Sequence, residues 1–352
     1  MPHFRKWTWP LYAQLLQHSK LPILVGPWRG EVGFEVLYWL PWLAAVRTRY
    51  KIAPERLIPI SRGGAAAWYQ TPMGLELYAM RDPAAVRVEA RRTHLARGMQ
   101  KQARIEAWDR AVLEDAAATL GFRRYLTLHP AWMYQLLDPF WTGRRGPQWL
   151  LDRTQYQQPM PAPPLPQDIT LPKEFVAVKF YHRSTFPPGD MTAVVARETI
   201  HQLAQEQDVV ILTSGGHLDD HQDFIPKKRP TNVVLLDELI PTTAETSLAV
   251  QSAVLAKALG FVGTYGGIAQ LALRMSKPNV SFFLDWGGTA HAHKSLSDLL
   301  ALLVGVPCIV QRIADIPILK TTLPSLRLVA GAETMAIPVE AGARQAAPVL
   351  VT

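Results

Sequence analysis

Short apolar runs that stop near a glycine or proline alternate with longer stretches whose apolar residues recur at helical spacing. In the first half of the chain, residues 22–26 and 56–61 predict buried strands, and residues 34–50 predict a helix between them. Residues 84–121 are rich in Ala, Arg and Glu and predict helices, and residues 125–129 predict a third strand. A strand followed by a helix and a further strand is the pattern of a parallel sheet.

The second half repeats this alternation more regularly. Its predicted strands are residues 175–180, 208–212, 232–236, 261–262 and 280–284, and its predicted helices are residues 191–205, 246–259 and 268–275. Because strands joined through helices pair in parallel with right-handed crossovers, each half predicts a doubly wound, Rossmann-like α/β domain. Ligands of such sheets bind beyond the carboxyl ends of the strands, where the glycine-rich loops of this chain lie.

A proline-dense segment, QQPMPAPPLPQDITLP, separates the two halves. Such a sequence sustains neither a helix nor a central strand and acts as a semi-rigid spacer, so it predicts a domain boundary. The predicted division is an N-terminal arm at residues 1–20, a first domain at 21–156, the linker at 157–172, a second domain at 173–312 and a C-terminal extension at 313–352.

The 352 residues are 48% hydrophobic and 19% charged, which excludes a largely disordered chain. The net charge of +8 favours an anionic partner, which could be a phosphorylated ligand, a lipid surface or a nucleic acid. Nucleic acid is not expected, because the basic residues between Arg87 and Arg110 are interspersed with acids and no nucleic-acid-binding motif is evident. The single Cys308 excludes an intramolecular disulfide and fits a reducing, cytoplasmic compartment.

No segment has the about 18–20 consecutive apolar residues that a membrane-spanning helix requires. The N-terminal arm lacks the apolar core of a secretory signal, but it mixes Phe4 and Trp7 with Arg5 and Lys6. This mixture suits a peripheral contact with the inner face of a membrane. The favoured alternative is an arm that packs on the body of the protein.

The strongest local signal for a ligand is the turn that follows the strand at 261–262. Gly263, Thr264, Tyr265, Gly266 and Gly267 lead from this strand directly into an apolar helix. Such a turn gathers unpaired backbone N–H groups and the positive helix end around a small volume, which suits a diphosphate. A tight turn without a ligand is an equally good interpretation of two adjacent glycines.

A second group lies at the end of the strand at 175–180. Lys179, His182 and Arg183 are potential cations at this strand end, and together they are able to clamp a phosphate. The alternative is a solvated lysine and an arginine in a surface loop. Gln251, on the helix before Gly263, is a candidate contact to a base or a sugar.

The third signal is the loop GPWRGEVG that precedes the helix at 34–50. Glu31, between two glycines at a helix start, is a candidate general base, although it also suits a helix N-terminus without any further role. Glu35 follows one turn later and is predicted to share its face. Arg29 is a candidate contact to an acceptor or a phosphate, and Gly30 lies on the same, acceptor side of the cleft between the two domains. Arg62 is predicted to shape this side of the cleft, although an ordinary turn is an equally good interpretation.

Other residues have a plainer interpretation. Residues 217–221 (HLDDH) contain metal-ligand types, but neighbouring loop residues rarely converge on one ion, so no metal is predicted. His291 and His293 either reach the cleft between the domains or lie at the surface, and the surface is the favoured interpretation. Six tryptophans of the first domain either line a groove that stacks sugars or belong to the core: Trp28, Trp39, Trp42, Trp68, Trp132 and Trp141.

Taken together, the segments FVAVKFYHR, DVVILTSGG, GFVGTYGGIAQLALRM and NVSFF resemble the two-domain GT-B glycosyltransferases. The donor turn is similar to that of heptosyltransferase-like and fucosyltransferase-like enzymes, and GPWRGEVGFEVLYW resembles the start of a bacterial group of uncharacterised glycosyltransferase-like proteins. The resemblance spans about residues 21–312. It implies that the second domain binds a nucleotide sugar, that the first binds the acceptor, and that no metal or other cofactor is needed.

By the same resemblance, Gly263, Thr264, Gly266 and Gly267 would cradle the diphosphate. Lys179 and Arg183 would neutralise its growing charge, and Glu31 would deprotonate the acceptor hydroxyl. The function expected is transfer of a sugar to a hydroxyl of a glycan or lipid-linked acceptor in bacterial surface polysaccharide synthesis. The alternatives are a nucleotide-sugar epimerase of the same fold, and a non-catalytic module that binds an anionic glycan or another protein.

Overall fold

A computed structural model describes residues 9–97, 102–157, 159–165, 169–214, 222–286 and 290–318. The first half forms a four-stranded parallel sheet in the order β3-β2-β1-β4. Its strands are β1 (Ile23–Val25), β2 (Leu57–Ser61), β3 (Leu75–Glu76) and β4 (Leu126–Leu128). Its helices are α1 (Trp9–His18), α2 (Val32–Phe34, Glu35–Trp39 and Leu40–Arg49 in succession), α3 (Leu77–Met80), α4 (Pro83–Arg97), α5 (Ala107–Thr119), α6 (Pro130–Trp141) and α7 (Pro147–Leu151), with 3₁₀ turns at Pro54–Arg56 and Ala65–Tyr69.

The second half forms a six-stranded parallel sheet in the order β12-β11-β10-β5-β7-β9. Its strands are β5 (Phe175–Lys179), β7 (Asp208–Ile211), β9 (Val233–Leu235), β10 (Gly260–Thr264), β11 (Asn279–Phe283) and β12 (Cys308–Arg312), while β6 (Tyr181–His182) and β8 (Gln222–Asp223) form a separate antiparallel pair. Its helices are α8 (Asp190–Ala204), α9 (Leu236–Leu239), α10 (Ser247–Lys257), α11 (Gly267–Arg274) and α12 (Ala290–Val304), followed by a 3₁₀ turn at Ile313–Ile318.

Helices cover both faces of each sheet, so the predicted doubly wound α/β fold class is confirmed at this level. On the outer face of the first sheet, Ile58 and Ile60 pack with residues of α4 and α5. On the outer face of the second sheet, Val176 and Val178 pack with residues of α8. Successive side chains of a strand point to opposite faces of the sheet, so the apolar residues of β2 and β5 supply buried side chains to both faces.

The inner faces of both sheets contribute to one continuous hydrophobic cluster. It contains Val25 and Trp39 from the first half together with Ala177, Phe261 and Leu271 from the second. The helices of this central layer therefore bury their apolar sides against one another across the two halves. The division into separate domains stays a prediction.

The helix α2 contains a π-helical segment, Glu35–Trp39, between two α-helical segments. A π segment widens one turn of a helix and is frequent at functional sites. The side chains of this segment are all buried, so the widened turn lies inside the protein.

The described part of the proline-rich linker packs on the body of the protein. Met160 is buried in the central cluster, and its backbone N–H donates to the carbonyl oxygen of Arg274 at 2.7 Å. Leu165, Ile169 and Leu171 are half-buried against the same cluster. The absence of helix and strand over these residues agrees with the sequence, and the segment gains its order from packing.

The described part of the N-terminal arm is the helix α1, and it also packs on the body. The ring of Trp9 lies 5.3 Å from that of Trp42 and 5.0 Å from that of Trp132, whereas Leu11 and Leu15 are exposed. Among the described residues, no helix is long and apolar enough to cross a membrane. Peripheral membrane contact stays a prediction.

Of the two interpretations of the six tryptophans, the structure shows the core and not the groove. Five of the six rings are buried in the central cluster, and Trp141 is half-buried against it. The indoles of Trp28, Trp39 and Trp42 follow one another at centroid distances of 5.8 and 5.4 Å. These rings pack in the core, because a large aromatic ring is stabilised more by full burial than by partial exposure on a groove.

Candidate active site

The beginnings of α2 and α11 meet, and these helices follow the carboxyl ends of the parallel strands β1 and β10. A Cβ atom added at Gly267 would lie 2.9 Å from the Cβ atom of Val32 and 3.1 Å from the backbone nitrogen of Gly33. A Cβ atom at Gly33 would collide with the side-chain oxygen of Gln270. Glycine at both positions therefore permits two helix N-termini, one from each half, to touch. Their positive ends make this region favourable for negative charge.

The guanidinium of Arg183 lies against the first turn of α11. A Cβ atom added at Gly266, the residue before this helix, would lie 2.7 Å from Nη1 of Arg183 and would collide with the hydroxyl of Tyr181. Nε of Arg183 is buried and has no hydrogen-bond partner. Burial alone would lower the pKa of Arg183, but its contact with Tyr181 and the charge of Glu31 raise it, so the group is a permanent cation.

Glu31 stands immediately before α2, and its side chain makes no capping hydrogen bond to that helix. Its negative charge acts on Arg183 and on His293, which come from the second half. The structure thus brings Glu31 and Arg183, both predicted from the sequence, into one electrostatic neighbourhood. Their catalytic roles stay predictions.

His293 is half-buried and faces the interior, so of its two interpretations the favoured surface position is wrong. Its Nδ1 is 2.7 Å from the hydroxyl of Tyr38, and its ring stands edge-on to Phe34 at 4.6 Å. Burial lowers the pKa of His293 to about 4, although the charge of Glu31 acts in the opposite direction. The imidazole is therefore neutral at pH 7. Nothing local in GTAHAHK distinguishes His293 from the exposed His291, because the difference depends on partners about 255 positions away.

Three residues of the turn that was predicted to bind a nucleotide-sugar donor have structural roles. β10 extends through Gly263 to Thr264, so these two residues lie in the strand and not in the turn. A Cβ atom at Gly263 would collide with the carbonyl oxygen of Lys179 on the neighbouring strand. The hydroxyl of Thr264 is buried and exchanges hydrogen bonds with the backbone N–H and carbonyl of Tyr181, at 3.0 and 3.1 Å. Tyr265 is buried edge-on against Trp286.

The predicted clamp of Lys179 with Arg183 is not formed. Nζ of Lys179 donates to the carbonyl oxygen of Leu212 at 2.7 Å and to Oγ of Ser214 at 2.8 Å, and it pairs with Asp223 at 3.0 Å. Lys179 thereby ties the end of β5 to the segment after β7. The sequence missed this because Asp223 is far along the chain and its proximity depends on the tertiary fold.

His182 and Gln251 also have neighbours that the sequence did not show. The ring of His182 lies near Phe186 and Phe224, and its buried Nδ1 has no hydrogen-bond partner. Nε2 of Gln251 donates to the backbone oxygen and Oγ of Ser247, while its buried Oε1 has no partner. Contact of either residue with a donor stays a prediction.

Arg29 does not face the acceptor side, contrary to prediction. Its Nε and Nη2 donate to the two carboxylate oxygens of Asp109 at 3.0 and 3.3 Å, and both side chains are fully buried. Burial by itself would raise the pKa of Asp109, but the charges of His129 and Arg29 lower it to about 2. The pair is a structural element of the first half.

Glu35 does not share the face of Glu31, contrary to prediction. It is fully buried, and its Oε1 accepts a hydrogen bond from the hydroxyl of Tyr69 at 2.7 Å. Burial raises the pKa of Glu35 to about 7, despite the opposing charge of Arg62. Nη2 of Arg62 donates to the carbonyl oxygen of Gly30 at 2.5 Å, so Arg62 supports the loop that carries Glu31 and is itself buried.

Among the described residues, no group of three or more His, Cys, Asp or Glu is arranged to hold a metal ion. The HLDDH segment lies outside the described residues. Independence from metals stays a prediction.

No family model matches this chain, and no curated protein sequence does. A heptosyltransferase of E. coli, WaaC with ADP, is similar in structure at 14% sequence identity and a TM-score of 0.43, covering 87% of this chain and 99% of its own. A family 9 glycosyl transferase from Veillonella parvula DSM 2008 has 10% identity and a TM-score of 0.43, covering 88% and 90%. A putative UDP-N-acetylglucosamine 2-epimerase from Listeria monocytogenes has 9% identity and a TM-score of 0.33, covering 88% and 97%. Likenesses this weak transfer no activity, so the function of this chain is inferred from its own site.

Proposed function

We propose that this protein is a glycosyltransferase that moves a sugar from a nucleotide-sugar donor to an acceptor hydroxyl. The observation that carries the proposal is the position of Arg183 against the N-terminus of α11, with Glu31 opposite at the start of α2. A cation, a helix end and a carboxylate in one neighbourhood are the groups that such a transfer requires.

The cation and the helix end act on the leaving group. As the bond between the anomeric carbon and the diphosphate breaks, negative charge develops on the diphosphate oxygens. Arg183 is permanently charged and has a buried Nε without a partner, so it can donate to these oxygens. The backbone N–H groups at the start of α11 add further donors, and such preorganised charge is commonly the largest contribution to catalysis.

The carboxylate acts on the acceptor. Glu31 takes the proton of the attacking acceptor hydroxyl, and the oxygen of that hydroxyl forms the new bond to the anomeric carbon. The neutral His293 beside it, held by the hydroxyl of Tyr38, adds no positive charge that would pair with the ionised base. The acceptor is proposed to be a glycan or a lipid-linked sugar of bacterial surface polysaccharide synthesis, at the cytoplasmic side of the membrane. The transfer is proposed to need no metal.

Titration calorimetry with a panel of nucleoside diphosphates tests the proposal, followed by a donor screen that measures released nucleoside diphosphate with and without EDTA. We expect micromolar binding of one nucleotide and turnover that survives chelation. Arg183→Gln should lower turnover by about 10²–10³. The matched control Arg197→Gln, on the exposed face of α8, should leave it unchanged.

Glu31→Gln tests the base separately. It should abolish most of the transfer while nucleotide binding stays intact, because only the proton acceptor is lost. Transfer at the original rate would exclude Glu31 as the base. The absence of binding by any nucleotide would overturn the whole proposal.

A nucleotide-sugar epimerase is the second candidate, because it needs a second acid–base group and His293 lies near Glu31. The pKa of about 4 for His293 makes it a poor proton donor at pH 7, which favours the transferase. Product analysis without an acceptor separates the two: an epimerase would convert the nucleotide sugar, and a transferase would leave its configuration unchanged.

A further inference from the structure

A cavity of about 50 Å³ lies away from the candidate active site, between the two halves and the linker. Leu43 and Arg47 of α2 form one wall, Val25 at the end of β1 another, and Gln157 and Arg274 close it from the linker and from α11. A ligand in this cavity would therefore touch the first half, the second half and the segment that joins them.

A buried cation lies at this cavity. Arg274 is only 2% exposed, and its Nε and Nη1 donate to the carbonyl oxygens of Val36 and Gln157 at 3.1 and 3.0 Å. Its guanidinium also lies 4.8 Å from the centre of the Tyr156 ring. Burial lowers the pKa of Arg274 to about 10, so it stays charged at pH 7. These two carbonyls orient the cation, and an anion in the cavity would add a favourable charge interaction with it.

A second cation and apolar walls complete the cavity. Arg47 lines it as a half-buried residue, and none of the described lining residues carries a carboxylate. Leu40, Leu43 and Leu57 supply apolar lining, and Gln70, Thr71 and Gln155 supply uncharged polar lining. Apolar walls lower the local dielectric constant and strengthen the attraction between a guanidinium and an anion. The planar guanidinium matches a carboxylate with two parallel hydrogen bonds.

We propose that this cavity binds a small organic monoanion, a carboxylate on a short apolar chain. The charged end would lie at Arg274 and Arg47, and the chain would pack on the leucines. Glu31, Arg183 and Gly267 do not line this cavity, so it is a site distinct from the candidate active site. Binding would hold α2 and α11 together, and these are the helices whose N-termini form the active site.

Calorimetry and thermal unfolding of the full chain in the presence of butyrate test this site. Butyrate is exchanged for an equal concentration of chloride, so that the ionic strength stays constant. We expect a dissociation constant of about 1 mM, because a ligand of so few atoms gains little binding energy in total. Inorganic phosphate, which lacks the apolar chain, should bind at least about tenfold more weakly. Equal binding of phosphate, or no binding of butyrate at about 50 mM, would overturn the proposal.

Three variants locate the binding. Ala44→Leu fills the cavity from α2 and should abolish binding. Arg47→Gln should weaken it about tenfold, as expected for a lost charge-assisted contact. The matched control Arg49→Gln removes the same charge from the same helix end at an exposed position and should leave binding within about twofold. Equal effects of the two arginine variants, or full binding by Ala44→Leu, would contradict a site in this cavity. These variants are more decisive than changes at Arg274, which would also remove its bonds to two carbonyls.

Discussion

At the scale of single residues, burial changes what each charged group does. Glu31 and Glu35 are separated by one helical turn, yet one reaches the meeting point of the halves and the other lies in the interior beside Tyr69. Arg29 and Arg183 differ in the same way. Arg29 forms a buried ion pair with Asp109, whereas Arg183 retains a buried Nε without a hydrogen-bond partner. Residue type alone therefore did not indicate which charges are available to a ligand.

The buried Glu35 leads to a prediction about pH. Its pKa is about 7 in the folded protein and 4.5 in an ordinary environment, so the folded chain holds the proton more tightly than the unfolded chain. The contribution to stability is complete below pH 4.5 and is lost as the pH rises to 7 and above. Ionisation of Glu35 in the folded state then costs about 3 kcal/mol.

The glutamine in Glu35→Gln cannot ionise, so the variant does not lose this stability as the pH rises. Between pH 4.5 and pH 8, its free energy of unfolding minus that of the natural protein should increase by about 3 kcal/mol. Urea unfolding at several pH values measures this difference, and titrations elsewhere cancel in it. The control Glu55→Gln changes an exposed carboxylate and should give a curve parallel to that of the natural protein. A parallel curve for Glu35→Gln would contradict the assignment.

At the scale of elements, the contact between α2 and α11 depends on glycine. Both helices begin at a loop that follows a parallel strand, and their first turns approach so closely that no side chain fits at Gly267. The π-helical turn of α2 comes directly after this contact and contains Tyr38, whose hydroxyl lies 2.7 Å from Nδ1 of His293. Element geometry, more than the nature of any one side chain, decides which groups meet here.

Gly267→Ala should therefore lower the free energy of unfolding by about 2 kcal/mol, because the new methyl group would lie 2.9 Å from Val32 and 3.1 Å from the backbone of Gly33. Chemical unfolding measures the loss. The control Gly146→Ala precedes α7 with nothing within 4 Å of the added atom and should change stability by less than about 0.5 kcal/mol. If the two variants are equally stable, the helices are not in close contact in solution.

At the scale of the whole molecule, the shared central cluster links the two halves. The inner helices of both sheets, the linker and α1 all contribute to it. A core shared in this way favours cooperative unfolding, because neither half keeps its apolar face buried after the other has opened.

The tryptophans make this testable. All of them except Trp286 precede the linker, so their fluorescence reports on the first half, whereas circular dichroism reports on both. The two signals should give the same midpoint in urea. A separate, later transition seen only by circular dichroism would show that the second half unfolds independently.

Much of the fold was predictable because it depends on local patterns. The short apolar strands, the helices between them and the linker rich in proline are each specified within about ten residues. The prediction omitted β3, β12 and α12, and it ended β10 too early, at Gly263 and Thr264, because pairing with Lys179 and Tyr181 decides where that strand ends. The π segment in α2 also has no local signal in its sequence.

The candidate site was predictable only in part. Glu31 and Arg183 were identifiable because each follows a strand in a parallel sheet, and such positions converge at the carboxyl edge. The roles of Lys179, Arg29 and His293 were not, because Asp223, Asp109 and Tyr38 lie 44, 80 and 255 positions away from them along the chain. A buried charge is controlled by its nearest opposite charge or dipole, and that neighbour is a property of the fold.

The sequence by itself determined most strands of the two parallel sheets, most of the helices between them and the proline-rich segment, since these follow from apolar periodicity and from the backbone limits of glycine and proline. Only the tertiary structure decided which cations are committed to internal partners, which helix ends touch, and that His293 is half-buried near Glu31. The physical reason is the range of the forces: hydrogen bonds along the chain act over a few residues, whereas desolvation and ion pairing depend on distance in space.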